Sequence, residues 1–492
     1  MRPAGTIATN ERDTLRKGSG MTAALRDIER QVLGEIWSSD QPYRNLVQLC
    51  DGIGHRFGGS ASEHAAAEFL QRTLRAYGAE RVWIEEFPVY SWERGECFFA
   101  LSAPVERSFA ALGLPYSGIA DLEGAIVDVG AGEAEDFARV GQRVQGAIVL
   151  TDAETDLPAV EGSHRADKYR RAVEAGAIAC VFVNRNPGLL RVTGALYARR
   201  PGGATVLDHT APIPGLGLSY EAGEMIRRAA SLGELRGRIR MHNRLFRSQA
   251  YNVVCDIEGD GSTRECIVAG AHYDGHDIAQ GATDNGAGTV VALELARTLL
   301  PHAGRLPRTI RLVWFACEEL GLLGSWHHCD QYERADRNET LVFMLNLDGA
   351  GRGQGGHEQV TVTGDPALAA YFLQMAEELA YPFAVRDRIS PHSDHFPFFL
   401  AGYPTATLQS RDATQGMIGR GWGHTEADTV DKVTRRGLQM GAALAARLLL
   451  RLAADERLPT VRRNPDQVER VLDAVGLAHT LTHHWGRANR VV

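Results

Sequence analysis

TIRLVWFACEELG, residues 309–321, is an apolar run that ends in two adjacent glutamates, Glu318 and Glu319. A near-continuous apolar run of this length is typical of a strand buried on both faces in a parallel sheet. Apolar helical patterns lie on either side of it, among them VVALELARTLL (290–300) and VTRRGLQMGAALAARLLLRLA (433–453). This alternation predicts an α/β domain of three layers, helix, sheet and helix, built on a mostly parallel sheet.

Two further apolar strands end in side chains that can bind metal ions. CIVAGAH (266–272) ends in His272, and LVFMLNLD (341–348) ends in Asp348. In open α/β sheets, ligands bind in the crevice at the carboxyl ends of the strands. We therefore expect His272 and Asp348 to meet the glutamate pair at one edge of the sheet.

A glycine-rich turn and a glycine-rich loop supply two more candidates. Asp284 lies in GATDNGAG (281–288), just ahead of a helix, where an N-cap would be its common role. Its position between glycines also makes Asp284 the best candidate for a carboxylate that binds two metal ions and bridges them. His424 lies in GRGWGHTEADT (419–429), and the glycines of this loop allow it to fold over the site from outside the sheet.

The candidate set has the composition of a site for two zinc ions per chain. It offers one imidazole and one terminal carboxylate to each ion and leaves one carboxylate to bridge them. Glu318 has no metal left to bind, so it is free to act as a general base. Asp274 is close enough to His272 to fix its ring tautomer, although a turn residue is the simpler interpretation. The five predicted metal ligands are His272, Asp284, Glu319, Asp348 and His424.

Composition argues against several other classes of protein. Of the 492 residues, 44% are hydrophobic and 23% are charged, and the formal net charge is −8 without a basic block. This balance argues against nucleic acid or a membrane surface as a partner. We find no run of about 18 apolar residues that would span a membrane and no apolar segment of a signal peptide. The seven cysteines form no CxxC pair, which favours reduced thiols and a cytoplasmic location.

A change in the sequence pattern predicts an inserted domain. From residue 118 to 245, short strand-like runs such as GAIVLTD (146–152) and AIACVFVN (177–184) alternate with turns rich in glycine and proline. None of these runs ends in a cluster of ligand-type residues, so we expect a separate α/β unit. The predicted boundaries are 1–20 for a polar tail, 21–117 for the first part of the metal-site domain, 118–245 for the insertion, 246–454 for the main part of the metal-site domain, and 455–492 for a C-terminal extension.

These motifs resemble those of the co-catalytic zinc exopeptidases, a family that includes bacterial leucyl aminopeptidases, glutamate carboxypeptidase and glutaminyl cyclase. The order of the five ligands carries most of the resemblance. Within the family the likeness is greatest to carboxypeptidase Q-like members with a protease-associated domain, because four segments occur here in the same order as in that subgroup. They are GHRFGGS (54–60), SWERGE (91–96), HDIAQGATDNGAG (276–288) and PRTIRLVWFACEELG (307–321).

The resemblance implies how the metal ligands are shared. One zinc ion would take His272 and Asp348, the other would take Glu319 and His424, and Asp284 would bridge them. The inserted region would be a protease-associated domain, and two copies of the chain could form a homodimer.

The resemblance also implies roles around the metals. Glu318 corresponds to the family's general base, and the peptide bond that follows the bridging aspartate, Asp284–Asn285, is expected to be cis. The segment HSDHFPF (392–398) is similar to one that lines the cleft, which makes Asp394 and His395 candidate substrate contacts.

Three functions remain open at this point. The first is hydrolysis of short peptides or dipeptides by a hydroxide that bridges the metals, with a glutamate as base. The second is a single-zinc acyl transfer like that of glutaminyl cyclase, and the third is a non-catalytic binding protein on the same fold. The complete ligand set disfavours the second and third functions.

The residues do not decide between an aminopeptidase, a carboxypeptidase and a dipeptidase. Arg352, Arg411 and Arg420 lie near the loops that carry ligands, and one of them could pair with a substrate carboxylate. For each of them, a solvated surface charge is the simpler interpretation.

Overall fold

We describe the fold from a computed structural model of the chain. The structure describes residues 22–154, 163–196, 211–334, 339–379, 381, 383–411, 417–418 and 420–483. The predicted polar tail, 1–20, lies outside the described residues, and so does the end of the predicted C-terminal extension.

The strands of the described residues are numbered here in chain order. They are β1 (Val82–Glu93), β2 (Cys97–Ala103), β3 (Arg107–Phe109), β4 (Leu112–Gly113), β5 (Ile119–Asp128), β6 (Ile148–Asp152), β7 (Ala179–Val183), β8 (Gly215–Leu218), β9 (Arg236–His242), β10 (Arg244–Ile257), β11 (Glu265–His272), β12 (Thr309–Phe315), β13 (Thr340–Asn346), β14 (Glu358–Val362), β15 (Ala384–Asp387) and β16 (Thr405–Ser410).

The α-helices of the same residues are numbered in the same way. They are α1 (Ala23–Ser38), α2 (Gln41–Val47), α3 (Ala61–Ala76), α4 (Ala134–Val140), α5 (Arg165–Glu174), α6 (Tyr220–Ala229), α7 (Ala287–Leu299), α8 (Leu323–Arg334), α9 (Pro366–Glu378), α10 (His395–Leu400), α11 (Arg435–Ala454), α12 (Pro465–Asp473) and α13 (Thr480–His483).

The first sheet has eight strands in the order β1-β10-β12-β11-β13-β16-β14-β15. Its centre, from β12 through β11 and β13 to β16, is parallel. The pairs β1–β10, β10–β12 and β14–β16 are antiparallel, and β15 pairs in parallel with β14. The apolar strands at the centre are those that the sequence identified. The long antiparallel pair of β1 and β10 forms one edge.

Helices cover both faces of this sheet, as the sequence predicts. Along β12 the side chains alternate, with Leu312 and Trp314 in the core under α7 and α11, and Val313 and Phe315 in the core on the opposite face. From Leu312 to Phe315 the strand is apolar because both of its faces are buried. Arg311, the charged residue within the strand, is buried in ion pairs with Asp256 and Glu339. The predicted three-layer α/β architecture is confirmed.

The register of the parallel strands sets the position of the site. His272 of β11 is level with Phe315 of β12, and Gly270 of β11 is level with Asn346 of β13. The residues that follow β12 and β13 therefore emerge beside His272. The carboxyl ends of three strands meet at one edge, as the sequence predicts.

The second sheet also has eight strands, in the order β3-β2-β9-β5-β6-β7-β8-β4. It contains β2, β3 and β4, which lie before residue 118, so the sheet extends beyond the predicted insertion, 118–245. Pairing with β9 draws these strands in, since β2 runs antiparallel to it from Cys97↔Met241. The predicted boundary lies where the sequence pattern changes to short strand-like runs and turns. The segment before residue 118 has the same strand-like pattern as the strands at the edge of the first sheet.

Helix α11 is long and apolar enough to cross a membrane by length and composition, and no other helix of the described residues is. It is a core helix in this fold, because 83% of its apolar stretch is buried. The helices that it contacts include α1 and α7. Sequence analysis did not indicate such a segment, because Arg447 and Arg451 interrupt the apolar run.

Part of the C-terminal extension packs against the metal-site domain. Val468 and Leu472 of α12 are buried with Leu322, Trp326 and Phe396. An amphipathic helix is thereby held against α8 and α10, on the face of the sheet opposite α11.

Candidate metal centre

Two buried groups of ligand-type side chains lie at the carboxyl edge of the central strands. In the first group, Nε2 of His272 lies 3.3 Å from Oδ1 of Asp284 and 3.8 Å from Oδ1 of Asp348. Glu318 offers a carboxylate oxygen to the same group. The side chain of Asp348 is 21% exposed while that of His272 is 1% exposed, so the cleft reaches this group from the side of Asp348.

In the second group, Nε2 of His424 lies 3.1 Å from Oε2 of Glu319 and 3.4 Å from Oδ2 of Asp284. A third side chain, His276, places its Nε2 2.9 Å from the same Glu319 oxygen. His276 is buried and was not among the predicted ligands. The available signal was a second imidazole four residues after His272.

Asp284 lies between the two groups and turns one carboxylate oxygen to each. Asp428 holds its turn in place, because its carboxylate accepts hydrogen bonds from the Asp284 N–H at 3.1 Å and from the N–H and hydroxyl of Thr283 at 2.6 and 2.8 Å. The Asp284–Asn285 peptide bond is cis, which confirms that prediction. Burial raises the pKa of Asp428 to about 6.

The bridging turn is also tied to the loop that carries Asp348. The side-chain oxygen of Asn285 accepts hydrogen bonds from the N–H groups of Gly288 and Gly349, at 3.2 and 3.1 Å. A Cβ on Gly288 would lie 2.2 Å from the carbonyl oxygen of Leu347, so only glycine allows this approach.

Asp274 organises the other ligands rather than joining them. Its carboxylate accepts hydrogen bonds from the main-chain N–H groups of Glu318 and Glu319, at 3.0 and 3.1 Å. Its Oδ1 also lies 3.4 Å from Nδ1 of His272. One buried carboxylate thus fixes the main chain of both glutamates and lies beside the His272 ring.

The ligands at the rim of the site are oriented in the same way. Ser393 donates a hydrogen bond of 2.6 Å to Oδ2 of Asp348, and Asn346 donates one of 2.6 Å to Ser393. Nδ1 of His424 lies 3.1 Å from the carbonyl oxygen of Thr193, in the inserted unit. If Nδ1 carries the proton, Nε2 of His424 is left with a lone pair for a metal ion.

Several donor atoms of the site have no protein partner among the described residues. Both ring nitrogens of His272 and of His276, and Oε1 of Glu319, are buried without a hydrogen bond. Leaving such atoms unpaired costs about 1–3 kcal/mol each. A metal ion would satisfy them, and ligand atoms around a tetrahedral zinc ion lie about 3.3 Å apart, close to the separations seen here. The residues present therefore fit a pair of metal ions.

The charges of the site are strongly coupled. Burial raises the pKa of Glu318 well above its usual range, with the His272 imidazole opposing and the Glu319 carboxylate adding to this. Burial works against ionisation of Glu319 too, but the His276 and His424 imidazoles hold its pKa well below its usual range. Two adjacent glutamates are thereby given different properties, one favouring the protonated form and one the charged form.

The predicted substrate residues Asp394 and His395 are both buried. Burial raises the pKa of Asp394 to about 7, and the carboxylates of Asp274 and Asp348 add to the shift. His395 packs below the strand ends, with its Nδ1 3.3 Å from the hydroxyl of Thr407. Burial lowers its pKa to about 4.

The three candidate arginines occupy different positions. Nη1 of Arg420 lies 3.3 Å from Nε2 of His424 and 3.8 Å from Oδ2 of Asp284, directly at the site. Nε of Arg352 is buried without a hydrogen-bond partner in the described part of the chain. Burial opposes ionisation of Asp348, but the His272 imidazole, and to a smaller extent the charge of Arg352, lower the pKa of this carboxyl. Arg411 is exposed at the end of β16.

The inserted unit touches the loop that carries His424. The N–H of Thr193 donates to the carbonyl of His424 at 3.0 Å, which completes a reciprocal pair with the contact at Nδ1. Arg191 pairs with Glu426 at 2.6 Å, and Asn186 exchanges two hydrogen bonds with the main chain of Ile418. The sequence could not indicate these roles of Thr193 and Asn186. Thr193 contacts His424 through its own main chain, and the side-chain amide of Asn186 contacts main-chain groups of Ile418, which any residue would offer.

Two arginines that the sequence did not single out hold the loop between His272 and Asp284. Arg56 is fully buried and donates hydrogen bonds to the carbonyls of Tyr273 and Gly281, at 2.6 and 2.9 Å. Arg94 binds both oxygens of Asp277, at 2.8 and 2.6 Å. Both arginines lie in segments, GHRFGGS and SWERGE, that the resemblance had marked.

Comparison with known proteins identifies both sheets. Residues 252–449 match the model of peptidase family M28, and residues 120–226 match that of the PA domain. The first range contains the metal centre, and the second contains most of β5 and all of β6, β7 and β8 of the second sheet.

Two curated relatives span different parts of the chain. Carboxypeptidase Q of Bos taurus is 27% identical over 316 residues, which are 63% of this chain and 65% of that protein. Aminopeptidase YwaD of Bacillus subtilis is 25% identical over 423 residues, 85% of each protein. The chain thus aligns with slightly less than two thirds of the carboxypeptidase and with most of the aminopeptidase.

Solved structures share the fold over most of the chain. A peptidase M28 precursor from Shewanella amazonensis superposes with a TM-score of 0.74 at 22% identity, covering 89% of this chain and 99% of its own. BSAP, a zinc aminopeptidase from Bacillus subtilis, superposes with a TM-score of 0.61 at 24% identity, covering 85% and 96%. The arrangement of the two sheets is therefore one seen in solved proteins.

Proposed function

This chain belongs to peptidase family M28 and carries a PA domain, and on that premise we propose that it is a zinc-dependent exopeptidase of short peptides. The observation that carries the proposal is Asp284, which turns one oxygen to each of two buried groups of nitrogen and oxygen donors. Such a donor set suits zinc, and the similar Bacillus protein of known structure is a zinc aminopeptidase.

We assign the donors to two zinc ions per chain, with Asp284 shared. His272 and Asp348 would hold one ion, and Glu319 and His424 would hold the other. When bound, the metal ions supply Lewis-acid activation of a water molecule and of the scissile carbonyl. The protein's part is to fix the donors, which the contacts of Asp274, Asp428 and Ser393 do.

Glu318 is the proposed general base. Its carboxylate lies beside the group formed by His272 and Asp348, and its main chain is fixed by Asp274. Metal ions bound beside it would favour its charged form, which is the form that can take a proton from the attacking water. The same side chain can return that proton to the leaving nitrogen of the substrate.

Burial of the site supports short peptides as substrates. His272, Asp284, Glu319 and His424 are each at most 6% exposed. The inserted unit adds a wall, because Thr193 contacts His424 from outside the first sheet. A folded protein chain cannot reach such donors, whereas the end of a flexible peptide can.

Two arginines at the site support recognition of a free carboxylate. Arg420 lies beside the proposed metal ligands, and Arg352 has a buried Nε without a protein partner among the described residues. A guanidinium binds a carboxylate with two parallel hydrogen bonds. This favours carboxypeptidase or dipeptidase activity over strict aminopeptidase activity.

A panel of dipeptides tests the proposed function. Free, N-acylated and C-amidated forms of one apolar dipeptide are incubated with the zinc-loaded protein, and the products are identified by mass spectrometry. We expect hydrolysis of the free dipeptide, and no cleavage inside a long peptide blocked at both ends. Conversion of an N-terminal glutamine peptide to its cyclised form, or binding without turnover, would contradict hydrolysis.

Two further predictions stand beside this proposal. All seven cysteines are free thiols, which supports a reducing, cytoplasmic setting. Association of two copies stays a prediction from the resemblance, and sedimentation of the purified protein at two concentrations tests it.

A further inference from the structure

His276 is the buried side chain of the site that the five-ligand assignment leaves without a role. Its Nε2 lies 2.9 Å from Oε2 of Glu319, the oxygen that Nε2 of His424 approaches to 3.1 Å. The ring is 4% exposed, so water does not compensate for a lost partner. The three side chains offer ligand atoms that all lie within 4.8 Å of one another.

The short contact between His276 and Glu319 does not have the geometry of a hydrogen bond. Neither ring nitrogen of His276 has a hydrogen-bond partner in the described part of the chain, and neither has Oε1 of Glu319. Ligand atoms lie close together without forming hydrogen bonds when their lone pairs are all directed at one common point. Two imidazoles and a carboxylate arranged in this way form a transition-metal site.

The loop that carries His276 is anchored at the next residue, and the ring packs against another ring. Arg94 binds both carboxylate oxygens of the next residue, Asp277. The ring itself stands edge-on to that of His424, with 4.4 Å between the centroids and 74° between the planes. His276 is therefore held in its orientation before any ion binds, which lowers the entropic cost of coordination.

We propose that His276 is a protein ligand of the metal ion bound by Glu319 and His424, which makes the two metal positions chemically different. The proposal rests on the two-metal assignment given above. One position then has a single imidazole, from His272, and the other has two, from His276 and His424, with Asp284 shared between them.

The difference predicts unequal binding of the two ions. A position with two imidazoles and two carboxylates binds zinc, cobalt and copper more strongly than a position with one imidazole and two carboxylates. Chelation should therefore remove the ion beside His272 and Asp348 first. The ion beside His276 should persist after the first has been lost.

The test combines X-ray absorption of the zinc-loaded protein with thermal unfolding. The variant is His276→Gln, and the control is His302→Gln, which removes a buried histidine that follows α7 at the opposite edge of the sheet. Imidazole scattering should fall from three rings per two zinc ions in the parent to two in the variant. The control should keep three.

Unfolding separates a ligand from a structural residue. The metal-free forms of parent and variant should unfold at the same temperature, while the gain in unfolding temperature on adding zinc should shrink in the variant. Affinity for the more tightly held ion should fall by about 100-fold or more, since loss of a group that merely orients a ligand costs 10–100-fold.

Three outcomes bear on the proposal. An unchanged imidazole count with unchanged zinc affinity overturns it while leaving the proposed peptidase function in place. An unchanged imidazole count with a loss of affinity below 100-fold also overturns it, because His276 then only orients Glu319. Failure of the parent itself to bind two ions contradicts the two-metal assignment instead.

Discussion

Oδ1 of Asp284 lies 3.3 Å from Nε2 of His272, a separation close to that of two ligands on one tetrahedral zinc ion. Its other oxygen lies at a similar distance from a second buried imidazole, that of His424. One side chain thus connects two imidazoles, one at a strand end and one on a loop that the inserted unit contacts.

Substitution of the bridge should disturb both metals. We expect Asp284→Ala to lose most of both zinc ions, whereas His424→Gln should mainly empty the position that it shares with Glu319. Metal analysis after dialysis against a weak chelator measures this. Equal losses in the two variants would contradict the bridging role.

Substitution of the proposed base should separate catalysis from binding. Glu318→Gln is nearly isosteric and should leave the zinc content intact while lowering kcat by roughly 100-fold or more. Turnover at the parent rate would remove Glu318 from the mechanism. Loss of a zinc ion would show instead that Glu318 acts as a ligand beside His272 and Asp348.

The arginines should act on the substrate carboxylate. We expect Arg352→Gln or Arg420→Gln to raise KM for a free dipeptide more than for its C-terminal amide, because only the former offers a carboxylate. Arg411→Gln is the matched control, since Arg411 is exposed, and should leave both values unchanged. Equal effects on the two substrates would argue against carboxylate recognition.

Loss of the ion pair between Arg191 and Glu426 should weaken the binding of one metal ion only. Glu426→Gln weakens the attachment of the inserted unit to the loop of His424. We expect weaker binding of the ion at Glu319 and His424, with the ion at His272 and Asp348 retained. A competitive zinc titration with a coloured chelator measures the two affinities, and equal weakening at both positions would contradict this.

A buried pair away from the site predicts a dependence of stability on pH. Burial opposes ionisation of Glu85, but the His328 imidazole at 2.8 Å lowers the pKa of this carboxyl to about 2. A depressed pKa stabilises the fold above the unfolded value, near 4.3, and the stabilisation is lost as pH falls through about 2.

Glu85→Gln is the variant that tests this pair. It should lower the free energy of unfolding at pH 7 by about 3 kcal/mol, the amount that a shift of this size represents. The difference from the parent should shrink as pH falls below 4. Urea unfolding at a series of pH values checks this, and a difference that does not change with pH would contradict it.

The metal-site domain could be predicted because strand ends are informative. The ends of β11, β12 and β13 each carry a ligand-type residue, and parallel register brings them to one edge. His276 could not be placed in this way, since it lies on a loop after β11, where sequence spacing does not determine the direction of a side chain.

The role of the inserted unit was also beyond sequence reasoning. Its contact with His424 uses the main chain of Thr193, which any residue could supply, and Arg191 finds Glu426 only through the fold. The membership of β2 in the second sheet is evident only from its pairing with β9. Composition carries no record of such pairing.

The dependence of activity on the number of zinc ions tests the central claim most directly. Metal-free protein is titrated with zinc while hydrolysis of an unblocked dipeptide is measured at each step. The account predicts that full activity is reached at two equivalents per chain. A plateau at one equivalent, or full activity of the metal-free protein, would contradict it.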